Sequence, residues 1–526
     1  VSTLYVSDRV LSRGAETSAD AILVTGGRID RVGNRSDLET PFVRVEHLLG
    51  GSIIPGLADA HFHPVHYTGA LRRLVVKQAV DHDDLVQRIR AAAAELPPGQ
   101  ALMGIRLDDE SMAERTLPTR HVLDAAAPDR PVLLYRYCGH VAVANTAALE
   151  AAGIDRTTGD PAGGHIDRDE HGRPNGILRE TAIGSVSTVV GARSTSIGPD
   201  DLIEAGRRLA AMGLTGLGAI IGCGDPMLGD GSDEVQIVVD AAPSLGIPMS
   251  VLVSTDTADL LEAAAKRLNR AGRRVRFGGV KLFADGSLGG HTAAMFEPYA
   301  DAAATRGALR LEPEADLVLA RRALALGGMV AVHAIGDAAV SRVLDFFEVL
   351  LDEGTDPHRL RMEHVSVITD TDLERMARMG IIGSVQPAFL ASEAGWLGKR
   401  LGPDRLERAY RFRSMLEAGI PLAGGSDCPV EPPHPLHGIA SAVGRGGLVE
   451  SEALTPTEAI EAFTSGAALA MGGPDPLAPG APANFTVVAG DLSSMSENEL
   501  RAADVLETIV DGERVPLPDD GPDWVA

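Results

Sequence analysis

Residues Gly56-Leu57-Ala58-Asp59-Ala60-His61-Phe62-His63-Pro64 decide how the chain is read. An apolar run, Ser52-Ile53-Ile54-Pro55-Gly56-Leu57, leads into two histidines two positions apart. In an extended strand alternate side chains share a face, so Asp59, His61 and His63 point the same way. Two imidazoles side by side at a strand's end can grip one metal ion through their neutral nitrogens. Alone, the pair would serve equally well as two surface histidines, because two ligands do not make a site. The remainder has to come from elsewhere in the chain.

Further along, apolar runs recur, each followed by an Ala/Leu/Glu/Arg-rich helical stretch. They are 213–217, 247–253, Phe277-Gly278-Gly279-Val280-Lys281-Leu282-Phe283, Met329-Val330-Ala331-Val332-His333, Leu360-Arg361-Met362-Glu363-His364, 381–386 and 420–427. With Leu57 to His63 they make eight strands alternating with helices, the count of a (β/α)8 TIM-type barrel in the α/β class. An open doubly wound sheet is the alternative, but it would carry a glycine-rich phosphate loop after its first strand, and none is present.

Polar residues close several of these runs: Lys281, His333, His364 and, in Gly424-Gly425-Ser426-Asp427-Cys428-Pro429, Asp427. Singly, a strand lysine usually faces solvent, a buried histidine usually packs in a core and Ser-Asp before proline usually makes a turn. Together with His61 and His63 they fall at the C-terminal ends of parallel strands, where barrel enzymes keep their chemistry.

One long segment, 79–195, interrupts the alternation between the first and second strands. It has its own turns (Pro97-Pro98-Gly99, Gly163-Gly164) and its own apolar run, Val132-Leu133-Leu134-Tyr135. A structureless loop of that length is improbable, so it reads as a folded insertion at the catalytic face, a natural substrate lid. Residues 1–54 and 479–526 are strand-rich. Two β-type runs flank Gly26-Gly27 as a hairpin, and both ends together read as one small β-domain. The barrel takes 55–78 and 196–478.

The chain has 526 residues, 44% hydrophobic and 23% charged, the balance of a soluble globular protein large enough for several units. A net charge of −25 argues against nucleic acid and anionic membranes as main partners. Three dispersed cysteines, Cys138, Cys223 and Cys428, fit neither a disulfide framework nor a C-x-x-C metal site. Val1 to Val10 lacks an export pattern, and no run is long and apolar enough to span a membrane. The cytoplasm is the expected compartment. A small-molecule substrate is the expected partner, and a homodimer the expected assembly, as the commonest oligomer.

The motifs Pro55-Gly56-Leu57-Ala58-Asp59-Ala60-His61-Phe62-His63, His333-Ala334-Ile335-Gly336-Asp337, Glu363-His364 and Gly425-Ser426-Asp427-Cys428-Pro429 resemble the amidohydrolase superfamily of metal-dependent hydrolases. Lys281-Leu282-Phe283-Ala284-Asp285-Gly286-Ser287, Gly139-His140-Val141-Ala142-Val143-Ala144-Asn145 and the long insertion resemble its amidohydrolase 3 branch, which includes YtcJ-like proteins and N-substituted formamide deformylases. The resemblance implies a β-sandwich built from both termini. It implies one or two divalent ions, most often Zn2+, with His61, His63 and Asp427 around one and His333 and His364 around a second. Lys281 matches the position of a bridging lysine carbamate. A protonated lysine offers only donors and cannot ligate a cation, whereas its carbamate can.

The expected chemistry is hydrolysis of a C–N amide-type bond by metal-activated water, with Asp427 as general base and then acid. His140 and His291 are candidates to stabilise the oxyanion. Phe283, Phe389 and Trp396 are candidate pocket walls. Deamination, ester or lactone hydrolysis, and a non-catalytic metal-binding role stand as alternatives.

Overall fold

Eight parallel strands form a barrel in the larger of two compact units, Val1–Tyr67 with Pro199–Ala526; the second unit is Thr68–Gly198. The computed structural model describes residues 2–11, 19–109, 111–136, 141–161, 164–191, 197–224 and 233–516. The barrel strands are β1 (Leu57–Phe62), β2 (Leu214–Gly222), β3 (Met249–Ser254), β4 (Val275–Phe283), β5 (Met329–Ala334), β6 (Leu360–His364), β7 (Ile382–Val385) and β8 (Leu422–Gly424). They pair in chain order from β1 to β8. A bridge between Phe62 and Cys428 closes the ring: Asp427 N donates to His61 O at 2.8 Å and His63 N to Cys428 O at 3.0 Å.

Strands covered on both faces can be apolar throughout, and β1, β2 and β3 are buried along their whole length. Inside the barrel Ile220, Leu252 and Ala331 pack together. Ala58, Ala60, Met329, Ile382 and Ala423 meet Ala467 and Ala470 in a second cluster. The outer helices start and stop where the sequence signals it. Thr257 caps Ala258–Leu268, whose last turn carries Lys266 and Arg267. Thr369 caps Asp370–Met379, which ends at Gly380 in the left-handed region, φ 67°.

Strand β8 is only three residues long, and the turn after it is fixed by contact with β1. A side chain at Gly425 would place its Cβ 2.7 Å from His61 N and 2.9 Å from Asp59 Oδ1. Glycine there lets Ser426 reach Asp59, through Oγ at 2.6 Å and the backbone N–H at 3.1 Å. The turn then presents Asp427 at φ 57°.

Both termini build one seven-stranded sheet. Its order is Glu513–Arg514, Val505–Val510, Phe485–Ala489, Arg44–Pro55, Ser2–Val10, Ala21–Thr25, Arg28–Gly33. The antiparallel pairing of Phe485–Ala489 with Arg44–Pro55 joins the two ends of the chain. Gly26 and Gly27, both at positive φ, make the hairpin turn. The sheet curls until Gly27 O accepts from Ala483 N at 2.9 Å, and Tyr5, Ile22, Ile29, Ile53, Phe485 and Ile509 share one core. This is sandwich packing drawn from a single curled sheet. Arg44–Pro55 then runs through Gly56 directly into β1.

The second unit has a six-stranded sheet in the order Gly164–Arg168, Pro174–Glu180, Val141–Ala144, Val132–Arg136, Leu102–Leu107, Leu74–Val75. Alternation sorts its side chains: Val132 and Leu134 join a cluster with Leu85, Ile89 and Leu123, whereas Leu133 joins Leu149, Leu178 and Val186. Among the described residues no helix is long and apolar enough to cross a membrane.

Gly425→Ala should force β8 away from β1. Such overpacking costs about 1–3 kcal/mol, and chemical denaturation should show a loss in that range. An unchanged midpoint would mean that the β8 exit has room to spare.

Candidate metal centre

The C-terminal ends of β1, β5, β6 and β8 deliver their imidazoles and carboxylate to one place. His61 Nε2 lies 3.2 Å and His63 Nε2 3.0 Å from Asp427 Oδ1. The His61 and His364 ring centroids are 4.9 Å apart, and those of His333 and His364 4.4 Å. Ligand atoms of His61, His364 and Asp427 all fall within 4.8 Å of one another. Lys281, on β4, is 1% exposed, and its Nζ has no hydrogen-bond partner. That nitrogen sits 4.7 Å from the Phe283 ring centroid.

Outer hydrogen bonds decide which ring nitrogen each histidine can offer. His61 Nδ1 contacts Glu363 Oε2 at 2.6 Å, and His364 Nδ1 contacts Gln386 Oε1 at 2.7 Å. His333 uses Nε2, toward Gly286 O at 2.9 Å. Each acceptor calls for an N–H, so neutral His61 and His364 present a lone pair on Nε2 and His333 on Nδ1. These are the nitrogens that could hold a cation.

Behind the histidines lies a buried ionic layer. Arg361 and Glu363 alternate along β6 and share a face. Arg361 Nη2 donates to Glu363 Oε2 at 2.9 Å, Ser384 Oγ at 3.0 Å and Ala60 O at 2.7 Å; Nη1 donates to Ala470 O at 2.8 Å. Burial pushes the Glu363 carboxyl up, but Arg361 and His61 outweigh it and hold the group well below its ordinary range. Asp285, just past β4, accepts from Ala294 N at 2.8 Å, Ile335 N at 3.1 Å and Gly336 N at 2.8 Å, tying the loop after β4 to the exit of β5.

The same burial governs the inner groups. It lowers Lys281 to about 8 and His63 to about 4. It lowers His364 well below the usual imidazole range, helped by His333 and His61. It raises Asp59 to about 6 despite hydrogen bonds from Ser426 and His61 N. For Asp427 burial acts upward, and His61 and His63 overcome it, leaving an ionised carboxylate. His364 at φ 73° and Asp427 at φ 57° are both left-handed, a strained backbone at two of the polar strand exits.

Not every predicted residue joins the cluster. His291 Nε2 is engaged with Asp301 Oδ1 at 3.0 Å, and its ring meets Tyr299 edge-on at 4.9 Å. His140 lies outside the described residues. Phe283 borders His333, with centroids 5.7 Å apart, and Phe389 stacks on His364 at 6.1 Å and 9°. Trp396 instead lies under the Arg400 guanidinium, 5.7 Å from its ring centroid. The roles of Glu363, Arg361, Gln386 and Asp285 are not read from the sequence. The signal for two of them is present: Arg361-x-Glu363 places opposite charges on one face of a strand otherwise apolar up to His364.

An eight-stranded barrel with histidines, a lysine and an aspartate gathered at its strand exits, beside a sheet built from both termini, defines the class. The chain belongs to the amidohydrolase family, whose Amidohydro_3 profile matches residues 44–516. It is 34% identical over 525 residues to YtcJ of Bacillus subtilis (strain 168), spanning 96% of this chain and 97% of that protein. It is 29% identical over 526 residues to the N-substituted formamide deformylase of Arthrobacter pascens, spanning 94% of each. The crystal structure of an uncharacterized metal-dependent hydrolase from Pyrococcus horikoshii OT3 matches with a TM-score of 0.78 at 27% identity, over 95% of this chain and 99% of that one. The YtcJ-like branch of the amidohydrolases is therefore its place, and hydrolysis its class of reaction.

Glu363→Gln should leave the buried Arg361 uncompensated, costing about 3–5 kcal/mol in denaturant unfolding. The sign with pH is fixed by the lowered native value. The Glu363 contribution is full above its unfolded value, near 4.3, and is lost as pH falls through the native one. The stability gap between wild type and variant should therefore hold at neutral pH and close only in acid. A gap under about 1 kcal/mol at pH 7 would show that the ionic layer is not what anchors β6.

Proposed function

We propose that the protein is a metal-dependent hydrolase that cleaves the C–N bond of a small amide, an N-substituted formamide or a related N-acyl amine. The observation that carries the reading is Lys281, buried at 1% exposure with an unpartnered Nζ beside ionised Asp427 and Glu363. An unpaired buried ammonium is costly, and burial already favours the neutral amine. A neutral amine can take up carbon dioxide, and the resulting carbamate has the oxygen donors that a cation needs. The donor set around it, imidazoles and a carboxylate, suits Zn2+.

On this reading His61, His63 and Asp427 would hold one ion and His333 and His364 a second, with carboxylated Lys281 as a further ligand. When bound, such an ion supplies a water acidified toward neutrality and a Lewis acid for the substrate carbonyl. The chain's own part is orientation and proton movement. Glu363 and Gln386 fix the rings of His61 and His364. Asp427 takes the proton from the attacking water and returns it to the nitrogen as the C–N bond breaks. Phe283 and Phe389 supply an apolar wall beside the histidines.

The substrate class is supported by the likeness to the Arthrobacter pascens deformylase. The few, dispersed cysteines support the cytoplasm as its compartment. A homodimer completes the reading on general grounds alone.

Two measurements test it. Incubation with a panel of N-alkylformamides should release formate and amine in equal amounts; ammonia release from ring amines, or hydrolysis of esters alone, would replace it with deamination or esterase chemistry. Asp427→Asn keeps the shape of the side chain and loses proton acceptance, so kcat should fall by about 10²–10⁴-fold. Turnover of the metal-loaded variant within about threefold of wild type would exclude Asp427 as the proton carrier.

A further inference from the structure

Beyond the histidines, a second polar device is built against the exit of β6. Helix Phe389–Glu393 begins with the ring that stacks on His364, and Glu393 lies four residues on, along the same helical face. Its Oε2 accepts from the Tyr410 hydroxyl at 2.6 Å. Tyr410 is itself immobilised, at 2% exposure. Its N–H donates to Ser366 O at 2.8 Å, two residues past His364, and its carbonyl accepts from Arg445 Nη1 at 3.0 Å. The loop after β7 is therefore tied twice to the strand end that carries His364, once by an aromatic stack and once through Tyr410.

This arrangement leaves one half of a carboxylate unused. Glu393 is half-buried, and its Oε1 makes no hydrogen bond among the described residues. Among the described residues no basic side chain pairs with it, and burial, with a smaller contribution from the Glu431 charge, pushes its carboxyl up to about 7 against the hydrogen bond from Tyr410. Beside the Tyr410 oxygen, the fully buried Ser366 Oγ also lacks a hydrogen-bond partner in normal geometry. A carboxylate packed out of water and pinned by a tyrosine is costly to ionise. A positive group at its open oxygen would relieve that cost through charge-assisted hydrogen bonds.

We propose that Glu393, oriented by Tyr410, is a specificity-determining residue that receives a cationic group carried by the substrate beside the bond to be cut. The inference rests on the amide-hydrolase reading for the phrase "bond to be cut", and it narrows the substrate from small amides to those bearing an ammonium or similar cation. A protonated amine entering past Phe389 meets Glu393 Oε1 about one helical turn beyond the ring on His364, a span of ~5–6 Å.

The test is a binding measurement, so it does not depend on turnover. Two sulfonamides that the protein does not cut serve as probes: N-(4-aminobutyl)methanesulfonamide and its neutral isostere N-pentylmethanesulfonamide. Calorimetry on the full chain should give the ammonium probe an affinity at least about tenfold higher, the size expected of one hydrogen-bonded charge. Glu393→Gln should abolish that preference and leave the neutral probe within about threefold of its wild-type affinity, and Tyr410→Phe should weaken the preference in part. Equal affinities in the wild type, absence of binding by both probes, or a preference that survives in Glu393→Gln would each overturn the proposal. The wild-type comparison decides even where a variant folds poorly. Formate release from N-alkylformamides tests the hydrolase reading separately, so failure of one is not failure of the other.

Discussion

Closure of the barrel between β1 and β8 is the constraint on which the rest of the molecule depends. The seam is made by backbone hydrogen bonds from Asp427 to His61 and from His63 to Cys428, with Ser426 bound to Asp59 beneath them. Those bonds hold eight strands in a ring, and they also bring Asp427 Oδ1 to 3.0 Å from His63 Nε2 and 3.2 Å from His61 Nε2. Stability and site geometry are therefore one problem here. The strands pair in chain order, so closing the sheet into a ring makes neighbours of the first and the last, and the seam joins the two ends of the barrel sequence. Only a glycine at 425 lets them approach closely enough.

Charge is the second organising factor. The site is buried, and every ionised group in it needs a partner. Glu363 has two, Arg361 and His61, and Arg361 in turn donates to Ala60, Ser384 and Ala470. Asp427 has two imidazoles. Lys281 departs from that rule. Its Nζ is buried, surrounded by groups that polarise it, and bonded to none. A buried amine without a partner calls for an explanation, and the carbamate proposed above would supply one.

Much of this is legible in the sequence because the deciding residues are periodic. Runs of β-type residues alternate with helices, and His333, His364, Lys281 and His61 each lie within or at the end of such a run, so their placement at the C-terminal face follows from strand direction alone. The hairpin at Gly26-Gly27 and the joining of the two termini are equally visible, since turn chemistry is local. What the sequence does not disclose is chosen by long-range contact. Glu363 meets His61 across the barrel, Gln386 meets His364 from the next strand, and Tyr410 reaches Glu393 from a separate loop. None of these pairs has a fixed spacing that a local reading could detect. Trp396 shows the converse: its position after a strand makes it a pocket candidate, yet its ring carries Arg400. His291 is a second case, since its Nε2 is engaged by Asp301.

The central claim is that the cluster at the strand exits is a metal site that Lys281 completes. Elemental analysis of the purified wild-type chain and of Lys281→Ala, both made in zinc-supplemented medium, tests it most directly. One or two divalent ions per chain are predicted for the wild type, with a clear loss in Lys281→Ala that a small carboxylate supplied with metal partly restores. Less than about a tenth of an equivalent in the wild type after reconstitution, or an unchanged content in Lys281→Ala, would contradict it.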